Sequence, residues 1–213
     1  MKRTGIALLS TAALLAASGA MAASADDISW TYLEAGWVNA DGYEDFETDG
    51  FAINGSLGFA DNFYLQAGFS ALDSDWDDAD IDTWNVAIGY HTNLTATSQW
   101  FIDVGYFDGE YDYDGAEGFD GGTADTDGFS VSSGVRIRPT DSMEFGAKLV
   151  YTDGDIEGSD FNDTSVGVYG QYYLVPAWSV GLAASLSGGG GGITAGAGDS
   201  ISLYTRYDFG NIF

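Results

Sequence analysis

The chain has 213 residues, 33 acidic against 6 basic, for a formal net charge of −27, with no cysteine, 45% hydrophobic and 15% aromatic residues. That acidity excludes nucleic-acid binding, which needs a basic footprint, and the missing cysteines exclude a disulfide framework or a thiolate metal site. So many aromatics exclude a disordered acidic chain. The carboxylates and the apolar residues must therefore be segregated.

The first segment, MKRTGIALLSTAALLAASGAMA, has Lys2 and Arg3, then a short apolar run, then small residues at Ala20 and Ala22. It reads as a cleaved secretory signal over residues 1–22, followed by a single domain over 23–213. Processing removes Lys2 and Arg3 and leaves Arg136, Arg138, Lys148 and Arg206 as the basic residues.

Ten segments of alternating polarity follow, at 29–38, 50–60, 62–71, 82–91, 98–108, 127–138, 142–152, 163–174, 177–187 and 199–213. Most have the length of a tilted bilayer-spanning strand, about 9–11 residues. Connections alternate between short (60–62, 92–98, 139–141, 175–177) and long (39–49, 72–81, 109–126, 153–162, 188–198), as in a meander whose two ends face different compartments. Pro139 and Pro176 fall in short turns, where they remove no ladder hydrogen bond.

One face of each segment is apolar: Leu33, Ala35 and Trp37; Trp84, Val86, Ile88 and Tyr90; Trp100, Ile102, Val104 and Tyr106; and so on to Ile201, Leu203, Thr205, Tyr207, Phe209 and Phe213. Aromatics gather at the segment ends, with Trp37, Trp84, Trp100, Tyr106, Tyr151 and Trp178 as girdle residues, the pattern of rings settling at two headgroup levels. The other face, with Asn54, Ser56, Gln66, Asn85, Ser130 and Ser132, suits a polar lumen. An open sheet edge in lipid would leave backbone groups unpaired, so the sheet must close. The expected fold is all-β: a closed antiparallel up-and-down transmembrane β-barrel of ten strands, with eight as the alternative, and both termini periplasmic.

The signal segment, segments such as WTYLEAGWV and NVAIGY, and the aromatic last strand resemble the small porin-like outer-membrane β-barrels of Gram-negative bacteria. The resemblance covers the whole mature chain and implies an outer-membrane location. It also implies recognition of the last strand by the barrel-assembly machinery, through Phe213 supported by Tyr207 and Phe209. The partners expected are membrane lipid and lipopolysaccharide. No lipid-facing strand has a polar break, which favours a monomer.

All four basic residues have lumen-facing parity, as do Glu34, Asp103, Glu144 and Asp208. A tight turn at 139–141 would set Arg136 opposite Glu144, and closure would bring Arg206 beside Glu34. Buried charges need such partners, so a structural network is favoured over a solute filter. On the long-loop side, 25 of the 33 acidic residues fall in 39–50, 72–82, 108–127, 152–163 and 187–199. Asp75, Asp77, Asp112, Asp114 and Asp120 offer the oxygen ligands that hard cations prefer, without the spacing of a calcium loop. No cofactor is expected beyond loosely bound Ca2+ or Mg2+. The glycine run at 188–192 lacks the lysine of a phosphate loop, and the lone His91 offers no triad, so no enzyme is expected. Two functions remain: a porin-like barrel passing small, chiefly cationic solutes, and a plugged barrel whose acidic loops bind divalent cations, lipopolysaccharide or a partner.

Overall fold

The structure is a computed structural model that describes residues 24–41, 47–74, 79–113, 121–187 and 199–210. Ten strands close into one antiparallel barrel, each paired with its sequence neighbours and the first with the last. They are β1 (Tyr32–Asp41), β2 (Glu47–Phe59), β3 (Phe63–Ser74), β4 (Ala79–Thr95), β5 (Ser98–Tyr113), β6 (Gly122–Thr140), β7 (Met143–Ile156), β8 (Ser159–Val175), β9 (Trp178–Ser187) and β10 (Ser200–Asp208).

The period-two pattern decides which side is which. Outward residues such as Leu33, Ile88, Val104 and Leu182 are 50–58% exposed, while inward Tyr64, Gln171 and Ser179 are nearly inaccessible. A continuous apolar belt of this kind has no counterpart on a water-soluble monomer and is covered only by lipid. Rings edge the belt at both ends, with Trp84, Tyr106 and Phe129 in mutual contact at one and Phe59, Phe63 and Tyr90 at the other.

Inside, large rings lie flat against the wall because glycine stands beside them. A Cβ on Gly89, Gly146 or Gly181 would fall within the ring of Tyr64, Tyr169 or Tyr204, each on a neighbouring strand. This arrangement keeps the rings off the axis of the bore.

The structure differs from the sequence expectation in three places. Residues 153–162, expected to be a long loop, are the ends of β7 and β8 joined by a two-residue turn. Glu157 and Gly158 take positive φ (52° and 83°), the hairpin geometry whose twist matches the strands. The middle strands likewise extend well past the aromatic girdle, so much of the expected acidic loop is sheet. Finally, β1 begins at Tyr32 rather than 29, and the last described strand ends at Asp208.

Candidate functional site

The residues freed from β1 turn into the barrel. Ser24 caps a short 3-10 turn, Ala25–Asp27, with a reciprocal capping box to Asp27. The segment then crosses the turn end of the bore, burying Ala25, Ile28 and Trp30. It is held by wall side chains: Gln99 Nε2 donates to Ala25 O (3.0 Å), Arg138 Nη1 to Asp27 O (2.6 Å), Arg136 Nη1 to Ser29 O (2.9 Å) and Ser56 Oγ to Trp30 O (2.8 Å). Trp30 Nε1 donates to Gln99 Oε1 (2.6 Å), and the indole stacks on Tyr64 (4.1 Å) and His91 (4.8 Å) with the Arg136 guanidinium 4.6 Å from its centroid. Running the β1 alternation back to residue 29 concealed this segment. The sequence signal for it was the capping pair Ser24 and Asp27.

Arg136 joins this segment to the charge network. Glu144 is fully buried and accepts from Arg136 Nε (2.9 Å) and Nη2 (2.7 Å), Tyr169 OH (2.7 Å) and Tyr173 OH (3.0 Å). Arg206 Nη1 is 3.8 Å from the same carboxylate, its Nε is 3.3 Å from Glu34, and its guanidinium lies 3.8 Å from the Tyr32 ring centroid. Four of the eight predicted lumen charges, Glu34, Arg136, Glu144 and Arg206, thus converge. The expected backbone pairing is corrected: Arg136 lies opposite Gly146, because a register shift precedes Thr140, and its long side chain reaches Glu144.

The other four form no ion pair with this network among the described residues. Asp103 is satisfied by hydroxyls, Tyr64 OH (2.7 Å) and Ser132 Oγ (2.6 Å), not by a cation. Arg138 donates to the backbone oxygens of Asp27 and Asp141 and lies over Tyr173 (4.1 Å). Asp208 is buried and Lys148 points into the bore, neither with an ion-pair partner among the described residues.

Two cavities flank this layer. The loop-side one has about 470 Å³ and is walled by Asn54, Gln66, Asn85, Ser130, Ser202 and Lys148, above a floor that includes Trp30 and Arg136. The turn-side one has about 350 Å³, between the entering segment and the β2–β3 turn, with Asp26, Asp61, Asn62, His91 and Asn93 around it.

A family model for the outer membrane protein beta-barrel domain matches residues 9–169. The chain belongs to this family. No curated protein matches it. Among solved structures, the KdgM porin is similar at 13% identity and TM-score 0.45, over 84% of this chain and 99% of that one. Neisserial surface protein A is similar at 13% identity and TM-score 0.47, over 85% and 98%. The Ail attachment invasion protein of Yersinia pestis follows at 12% identity and TM-score 0.44, over 85% and 100%.

Among the described residues of this outer-membrane barrel, rows of carboxylates stand on the outward face of the strand extensions, lined up by the register. Asp49, Asp73, Asp80 and Asp112 are successive cross-strand partners. Asp82, Glu110 and Asp125 form a second row, and Asp108, Asp127, Asp155 and Asp160 a third. Behind the rows, on the inner side, Leu72, Ile81 and Tyr111 form a small apolar core, from residues expected to lie in the long loops 72–81 and 109–126. Asp112 accepts from Thr123 Oγ1 (2.7 Å), while Asp75, Asp77, Asp114 and Asp120 lie outside the described residues. No cluster of His, Asp and Glu fit to hold a metal occurs among the described residues.

The girdle residues all sit on the outward face. Trp37, Trp84, Tyr151 and Trp178 are more than 40% exposed, and Trp100 and Tyr106 are half-buried. Tyr207 and Phe209 are outward and in ring contact at 5.0 Å, whereas Phe213 and the signal segment 1–22 lie outside the described residues.

Proposed function

We propose a non-enzymatic outer-membrane barrel that is closed at rest and acts through its outer surface. The observation carrying this reading is the filled bore: the entering segment, the Trp30 stack and the Arg136–Glu144–Arg206 cluster occupy it together, with side chains already bonded to each other. A standing porin for cations would need a hydrated path there, and these groups have no freedom to hydrate an ion.

With the short turns facing the periplasm, the carboxylate rows stand at the level of the lipopolysaccharide headgroups. Like charges directly opposed across strands repel, and hard divalent cations prefer carboxylate oxygens. Ca2+ or Mg2+ shared between these rows and lipopolysaccharide phosphates would relieve the repulsion and anchor the barrel among its lipids. Tyr207 and Phe209, with Phe213, supply the aromatic signal for the assembly machinery.

The deciding experiment is planar-bilayer conductance of the refolded barrel, with and without millimolar calcium. Silence from a folded barrel is the expected result. Discrete cation-selective steps would overturn it and make Arg136, Glu144 and Lys148 the first filter residues to change.

A further inference from the structure

We propose that Trp30 is the gate of a path through the barrel for small neutral hydrophilic solutes, an inference that rests on the closed-at-rest reading. Of the residues around the two cavities, Trp30 alone borders both. Its indole is thus the side chain common to the walls of the cavity of about 470 Å³ on the loop side and that of about 350 Å³ on the turn side.

The character of the walls sets the class of solute. Asn54, Gln66, Asn85 and Ser130 border the outer cavity and Asn62, Thr92 and Asn93 the inner one, so hydroxyls and carboxamides run along both. The four outer ones have no side-chain hydrogen-bond partner among the described residues. Charges around the outer cavity balance, with Arg136, Lys148 and Arg206 against Glu34, Asp103 and Asp163. The inner cavity carries Asp26 and Asp61 with no Lys or Arg in its described lining, and the outer face is acidic. An anion is repelled at both ends, whereas a neutral polyol meets only hydrogen-bonding groups.

The position of Trp30 in the chain makes it movable. Tyr64, Tyr169 and Tyr204 are on strands and lie against wall glycines, so shifting them disturbs the ladder. Trp30 sits on the segment before β1, tied by hydrogen bonds with Gln99 and Ser56 and by ring contacts with Tyr64, His91, Phe101 and Arg136. Swinging it aside breaks no strand pairing.

Liposome swelling tests this, with arabinose as the neutral probe and gluconate as the anionic one, on barrels whose folding is verified by heat-modifiable gel mobility. Trp30→Ala should admit arabinose while wild type and Trp30→Phe do not, and gluconate should stay excluded. Trp30→Val serves as a second opening variant should the alanine variant fail to fold. Folded but impermeable opening variants would overturn the gate. So would equal permeation through Ile28→Ala, which loosens the segment but keeps the indole. Gluconate entering as fast as arabinose would overturn the neutral class. Swelling by wild type would instead overturn the closed-at-rest reading, and the gate would still be judged by whether Trp30→Ala exceeds wild type.

Discussion

Glu144 depends on its neighbours more than any other residue, because a fully buried carboxylate is tolerable only with its lone pairs filled. Arg136, Tyr169 and Tyr173 fill them, and Arg206 adds charge at 3.8 Å. Arg136→Ala should therefore destabilise the barrel by about 3–5 kcal/mol, the cost of stranding a buried charge. Removing both charges with Arg136→Met and Glu144→Leu should cost much less, and urea unfolding in lipid vesicles would compare them. Glycine at 146 is as specific in its requirement: Gly146→Ala would drive a methyl into the Tyr169 ring and break its bond to Glu144. The expected loss is about 1–3 kcal/mol, read in the same titration.

At the scale of the strand, parity carries the consequences. Val104 is outward in mid-strand and Ser132 is inward beside the Asp103 carboxylate. Val104→Arg should therefore cost about 2–4 kcal/mol against lipid, whereas Ser132→Arg meets a ready anion and should be far better tolerated. The folded fraction by gel mobility would separate them, and equal tolerance would contradict the register. Above the girdle the strands meet a different problem. A hydrogen bond with Asp73, some desolvation, and the charges of Asp73 and Asp112 hold the exposed Asp80 carboxyl above the ordinary range. Its folded-state pKa being raised, the protonated form is favoured in the folded protein, and stability is lost as pH rises through that value. Amides of the β3–β5 extension should thus be better protected near about pH 4 than near about pH 7, once intrinsic exchange is corrected for. Asp80→Asn should flatten the difference.

For the whole molecule, charge is sorted by height. The lipid belt is neutral, the interior is cross-bonded, and the rows of carboxylate lie beyond the girdle on one side. Such a surface repels itself until counterions gather. Millimolar Mg2+ should raise the urea midpoint more than Na+ of equal ionic strength, and the gain should shrink when Asp80, Asp82 and Asp127 are changed to Asn. Equal effects of the two cations would reduce the rows to a diffuse anionic surface without preference for divalent ions.

Alternation of side chains is local, so the sequence by itself favoured ten strands over eight and determined the lipid-facing residues, the antiparallel order and the inward parity of the eight charges, while the structure settled the number at ten. It also determined that Arg206 and Glu34 would meet, since closure makes their strands neighbours. Three features came only from the tertiary structure. The ion pair of Arg136 with Glu144 survives a register shift that parity cannot report. The inward turn of residues 24–31 runs against the extrapolated alternation, because a segment that pairs with no strand obeys the space left in the bore. Whether the bore is filled depends on which ring stands beside which glycine of the adjacent strand, as with Tyr64 and Gly89. Adjacency of that kind is set by the register between neighbouring strands, and no period within one strand encodes it.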